Sequence, residues 1–175
     1  TGLAKVVDMV RRLGLGDDFK AEASLALGTG EVTLLDLASA YAVLANGGRR
    51  AWPFVIDRVT DAEGRVLWRR TGTGAERIAD AGAVRTLTRM MAGVIEHGTG
   101  RAARLDRDAA GKTGTTQNSR DAWFLGFTAD LVAGVWMGND DATPMKNVTG
   151  GGPPARLWRD FMVEAHEGLP PRPLF

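Results

Sequence analysis

The stretch Ala109-Ala110-Gly111-Lys112-Thr113-Gly114-Thr115-Thr116 decides how this chain reads. It is apolar at one end, has strand length, and carries a cation, hydroxyls and two glycines where a plain strand would carry β-branched residues. Glycine weakens a strand and often marks close approach by another group. Strict alternation places Lys112 and Gly114 on one face and Thr113 and Thr115 on the other. An ammonium and hydroxyls suit a carboxylate, and free N–H and C=O groups at a strand edge suit an extended peptide. The Gly-Lys-Thr core also invites a phosphate-binding loop, but that pattern needs a glycine six positions before the lysine and a helix directly after it. Position 106 is Asp106, and 113–119 is too rich in Gly, Thr and Asn to start a helix.

Two further apolar runs follow, at 122–128 and 131–138. The segments between the three runs, 116–121 and 129–130, are short and polar, which predicts antiparallel neighbours. Residues 139–152 are crowded with Gly, Asn, Asp and Thr around Pro144 and read as a loop. Pro153-Pro154 then opens a last helix over 153–168, with Leu157, Trp158, Phe161, Met162 and Ala165 along one side, and its Leu157, Phe161 and Ala165 side is expected to pack on the sheet.

Residues 1–108 read as mostly helical. Leu3, Val6, Val7, Val10 and Leu13 recur at helical spacing, with Gly14 placed as a C′ glycine. Thr33 and Asp36 form a capping-box pattern before Leu34, Leu37, Ala38, Tyr41, Ala42 and Ala45, which predicts a largely buried helix ending at Asn46-Gly47-Gly48. A hairpin is expected near 54–70, turning at Asp61-Ala62-Glu63-Gly64. Asp80 caps a third helix with the stripe Val84, Leu87, Met91, Val94 and Ile95, ending at His97-Gly98-Thr99-Gly100.

Composition narrows the function. With 22 Lys+Arg against 21 Asp+Glu, the net charge of +1 gives no footprint for nucleic acid or an anionic membrane. There are no cysteines and only two histidines, His97 and His166, so thiolate and all-histidine metal sites are excluded and neither a metal nor a cofactor is implied. No apolar stretch approaches the ~20 residues that span a bilayer, so no membrane contact is expected of this segment.

Lys112-Thr113-Gly114-Thr115 resembles the Lys-Thr-Gly motif of penicillin-binding proteins and serine β-lactamases. The flanks extend the resemblance, in the same order, to class A penicillin-binding proteins. They are Leu27-Gly28-Thr29-Gly30-Glu31-Val32-Thr33, Ala40-Tyr41-Ala42 with Ala45-Asn46-Gly47-Gly48, Gly98-Thr99-Gly100, and Asp121-Ala122-Trp123-Phe124-Leu125-Gly126. The resemblance implies an α+β fold, an antiparallel sheet flanked by helices, forming part of a transpeptidase domain. It implies a serine D,D-transpeptidase that cross-links peptidoglycan stem peptides, is acylated by β-lactams, and works in the periplasm at the outer face of the bacterial inner membrane. Lys112 would then support a hydroxyl-bearing motif, Thr113 and Thr115 would bind the donor peptide's terminal carboxylate, Thr115 N–H would join the oxyanion hole, and Gly114 would leave room for the acyl group.

The family's nucleophile is the serine of Ser-x-x-Lys, and no serine here fits. Ser24 leads to Leu27, Ser39 to Ala42 and Ser119 to Ala122, and none has Asn two positions on. The expectation is therefore that residues 1–175 are the C-terminal portion of a single transpeptidase domain, with no catalytic residue of their own and with an upstream half as partner. The alternative is a folded, non-catalytic interaction module. Other candidates have simpler readings: His97 either lines a site entrance or is a polar helix-end residue favoured by the dipole, and Asp140-Asp141 is a turn rather than an acid pair. Arg101, Arg104 and Arg107 read as a solvated run, and Trp52, Trp68, Trp123, Trp136 and Trp158 as core or interface.

Overall fold

A computed structural model describes residues 2–51, 53–72 and 76–174; Trp52 lies outside them. Three strands, β3 (Ala110–Thr115), β4 (Asp121–Phe127) and β5 (Val132–Gly138), form an antiparallel sheet in the order β3-β4-β5. Each lies within a residue of its expected bounds, because turn residues delimit all three runs. A smaller hairpin, β1 (Arg58–Thr60) and β2 (Val66–Arg69), turns where Asp61 Oδ1 accepts the N–H groups of Glu63 and Arg65 at 3.1 and 2.8 Å. These bonds and the Arg65 side chain hold the Asp61 carboxyl below its usual range, against an opposing desolvation effect that is the largest single influence on it. Both faces of this hairpin are exposed.

Helix ends follow their caps. In α1 (Leu3–Arg12), Gly14 has φ +82°, its N–H reaches Arg11 O, and Leu15 N–H reaches Val10 O, the paired bonds of a Schellman stop. In α2 (Leu34–Ala45), Thr33 Oγ1 accepts Asp36 N–H at 3.1 Å, and in α3 (Ala81–Glu96) Asp80 Oδ1 accepts Ala83 N–H at 2.9 Å. Helix α4 (Pro153–Ala165) opens on proline, whose missing N–H costs nothing in a first turn.

The register sorts the sheet into two faces. Gly111, Thr113 and Thr115 share one face with Phe124, Gly126, Ala133 and Val135; Ala110, Lys112 and Gly114 share the other with Phe127, Leu125, Trp123 and Val132. The first face packs on α4 through Phe124, Ala155, Trp158 and Met162, joined by Ala103 and Ile95. The second packs on α2 and α3 through Ala110, Phe127, Met91, Tyr41 and Leu44. Burial pushes the Tyr41 phenol up to about 12, so it stays neutral there. Helix α3 meets both clusters, with Ile95 in one and Met91 in the other, and so closes the sheet where β3 begins.

Four expectations are corrected. Helix α4 turns Trp158 and Met162 inward, both fully buried, while Leu157 and Phe161 are 50% and 55% exposed. Gly111 and Gly126, paired across β3 and β4, decide this: a Cβ on Gly111 would meet Phe124 Cζ at 2.8 Å, and one on Gly126 would meet Trp158 Cζ2 at 2.9 Å. In α3 the buried stripe is Val84, Thr88, Met91 and Ile95, and Leu87 is exposed. Positions 84, 88, 91 and 95 lie on one helical line whatever their chemistry. Helix α2 buries only Ala40 and Val43; its other apolar positions are half-buried or exposed, because only one side of it meets the sheet. Arg107 is not solvated: its guanidinium donates to Leu169 O at 3.1 Å and pairs with Asp106 at 3.6 Å.

His166 ties the end of α4 to the β4–β5 turn. Both His166 and Thr128 are buried, with Thr128 Oγ1 2.8 Å from His166 Nε2. Thr128 Oγ1 also accepts the N–H groups of Asp130 and Leu131, and His166 Nδ1 faces Met162 O at 2.7 Å. Only a neutral ring protonated at Nδ1 satisfies every partner.

Candidate functional site

The site candidate is the outer edge of β3. Thr116 N–H donates to Asp121 O at 3.0 Å, so in an antiparallel ladder Lys112 and Gly114 bond inward to β4 while Thr113 and Thr115 turn their N–H and C=O groups outward. No strand pairs with that edge among the described residues. Ala110 and Gly111 are buried, and from Lys112 onward the strand opens to solvent.

All four motif residues lie on this edge in the expected alternation. The Lys112 ammonium donates to Thr113 O at 2.8 Å, which marks that carbonyl as outward-facing. Thr113 Oγ1 lies 2.7 Å from Thr99 Oγ1, and Thr115 Oγ1 accepts Gly150 N–H at 2.9 Å. A Cβ on Gly114 would come 3.2 Å from Trp123 Cβ, so packing as well as access favours glycine there. Thr116 closes the turn: its Oγ1 accepts Asp121 N–H at 2.7 Å and donates to Asp121 Oδ2 at 3.2 Å.

Thr99 and Gly150 are two neighbours that strand reasoning missed. The signal for the second was Gly150-Gly151-Gly152, since a Cβ on Gly150 would strike Gly114 O at 2.4 Å and one on Gly151 would strike Thr99 O at 2.2 Å. The glycines let this loop lie directly on β3.

The remaining candidates do not converge on the edge. His97 is exposed at the end of α3 beside Glu96, as its helix-end reading expects. Asp141 accepts the N–H and hydroxyl of Thr143, which holds its carboxyl below the usual range, as in a turn. Trp158 is core, Trp123 and Trp136 form a tilted pair at 6.2 Å, and Trp68 is exposed on the hairpin. A concavity lined by Phe19, Ser24, Leu25 and Gly30 belongs to another part of the chain.

The model of the penicillin-binding protein transpeptidase domain matches residues 5–155. The chain belongs to that family. It is 33% identical to penicillin-binding protein 1A of Rickettsia typhi, covering 98% of this chain and 25% of the relative. The solved penicillin-binding protein 1A of Haemophilus influenzae superposes with a TM-score of 0.87 at 25% identity, over 98% of this chain and 32% of that one. PonA1 of Mycobacterium tuberculosis, solved in complex with penicillin V, gives 0.83 at 28% identity, over 95% and 50%. The chain thus spans about a quarter of the length of such curated relatives. The α+β architecture, an antiparallel sheet between helices, is the family's.

Proposed function

We propose that residues 1–175 are the C-terminal portion of a single D,D-transpeptidase domain that cross-links peptidoglycan stem peptides through a serine acyl-enzyme and is acylated by β-lactams. In this reading 1–108 supply helices and the hairpin, 109–138 the sheet and 153–168 the closing helix, while Ser-x-x-Lys and Ser-x-Asn come from preceding sequence. The working place is the periplasm, at the outer face of the inner membrane. The observation that carries the reading is the unpaired Lys112–Thr115 edge, with a cation, two hydroxyls and outward N–H and C=O groups in one short run. Such an edge pairs with an extended peptide by main-chain bonds. Lys112 and the hydroxyls of Thr113 and Thr115 serve the terminal carboxylate, and Thr115 N–H serves the oxyanion. A donor aimed at a developing oxyanion contributes roughly 3 to 4 kcal/mol in acyl-transfer sites.

The test compares Lys112→Ala with Thr116→Ala in the full-length protein by the second-order rate of acylation by a β-lactam, after unfolding confirms that both variants fold. Lys112 carries the only full charge in the motif, whereas the Thr116 hydroxyl is spent on Asp121. A hydrogen bond to a charged group is worth roughly 1.5 to 3 kcal/mol against about 1 for a neutral one, so on the order of tenfold should separate them. Equal losses would overturn the carboxylate-recognition role.

A further inference from the structure

Both hydroxyls on the Lys112–Thr115 edge are met by this chain's own groups. Gly150 N–H can only donate, so at Thr115 it occupies an oxygen lone pair and leaves the hydroxyl proton free. At Thr113 the partner is the Thr99 hydroxyl, 2.7 Å away, and either oxygen can donate. What arrives at the edge settles the direction. A carboxylate only accepts, so Thr113 gives its proton to the ligand and its lone pair takes the proton of Thr99.

We infer that Thr99 is a positioning residue for carboxylate recognition: its hydroxyl donates to Thr113 Oγ1 and holds the Thr113 O–H pointed outward as a donor, as Gly150 N–H does for Thr115. The inference rests on the transpeptidase reading and extends it to a residue outside the motif. Thr99 is exposed, so its side chain is not there to fill the core. Its backbone is nevertheless fixed. Gly98 N–H and Gly100 N–H bond to Gly93 O and Val94 O at the end of α3, and Gly151 lies so close that a Cβ there would strike Thr99 O. An exposed hydroxyl on a clamped backbone, aimed at a motif hydroxyl, forms a short donor chain in which each bond polarises the next.

The experiment measures second-order acylation of the full-length protein by benzylpenicillin and by its methyl ester, which lacks the carboxylate charge. Wild type should prefer the free acid. Thr99→Val keeps the shape and removes the hydroxyl, and should shrink that preference by about fivefold, chiefly through a slower reaction with the acid; Thr99→Ser should restore it. Because any unfolded fraction lowers both rates equally, the acid-to-ester ratio reports recognition even if the variant is less stable. An unchanged ratio in Thr99→Val, or no rescue by Thr99→Ser, overturns the inference while the transpeptidase reading stands. A wild type that neither compound acylates overturns that reading and this inference with it.

Discussion

Incubated with a fluorescent penicillin, the 175-residue chain alone is expected to form no adduct that survives denaturation, whereas the full-length protein should label. Covalent acyl transfer needs a hydroxyl activated by a neighbouring base. Ser24, Ser39 and Ser119 each lack a lysine three residues on. Ser39 sits inside α2 with its hydroxyl donating to Leu35 O at 2.7 Å, and Ser119 lies in the β3–β4 turn at φ +52°. The one ammonium on the β3 edge, Lys112, is directed at Thr113 O rather than at any hydroxyl. Thr113 and Thr115 are hydrogen-bonded to Thr99 and Gly150, neither of which is a base. The measurement is a gel of the denatured protein after labelling. A stoichiometric band from the chain alone would show that a nucleophile is present, and would overturn the assignment of Ser-x-x-Lys to preceding sequence.

The sheet and the helix ends were legible because single residues impose them. Thr33, Asp80, Gly14 and Pro153 each act through a bond or a fixed dihedral within a few residues of sequence. The motif was legible for the same reason: a lysine and hydroxyls in a glycine-broken strand are visible without knowing what lies across from them. What was hidden depends on contacts distant in sequence. The Thr99–Thr113 and Gly150–Thr115 bonds join residues 14 and 35 positions apart; the run Gly150-Gly151-Gly152 signals a close approach without saying to what, and no local pattern announces the first bond. Helical period likewise fixes that α3 and α4 have an inner face but not its phase. In α3 the line that meets the sheet takes Thr88 inward, with Oγ1 buried and without a partner among the described residues, and leaves Leu87 outside.

The phase of α4 gives the second large effect: Trp158→Ala should destabilise the chain by about 3 to 5 kcal/mol, the range for emptying a buried aromatic site. Trp158 is fully buried, its ring meets Phe124 edge-on at 5.1 Å, and its Nε1–H donates to Ala133 O at 3.1 Å, so one side chain joins α4 to two strands. The surroundings cannot close over the gap, because Ala155 and Ala103 are already small and Gly126 has no side chain to extend. Phe161, three residues along the same helix, serves as the control. It is 55% exposed, and Phe161→Ala should shift stability by no more than about 0.5 kcal/mol, as substitutions away from the core do. Denaturant unfolding of the two variants beside the parent chain reads both values. Similar losses from the two would mean that Leu157 and Phe161 also face the sheet, and would place α4 in the phase its apolar pattern first predicted.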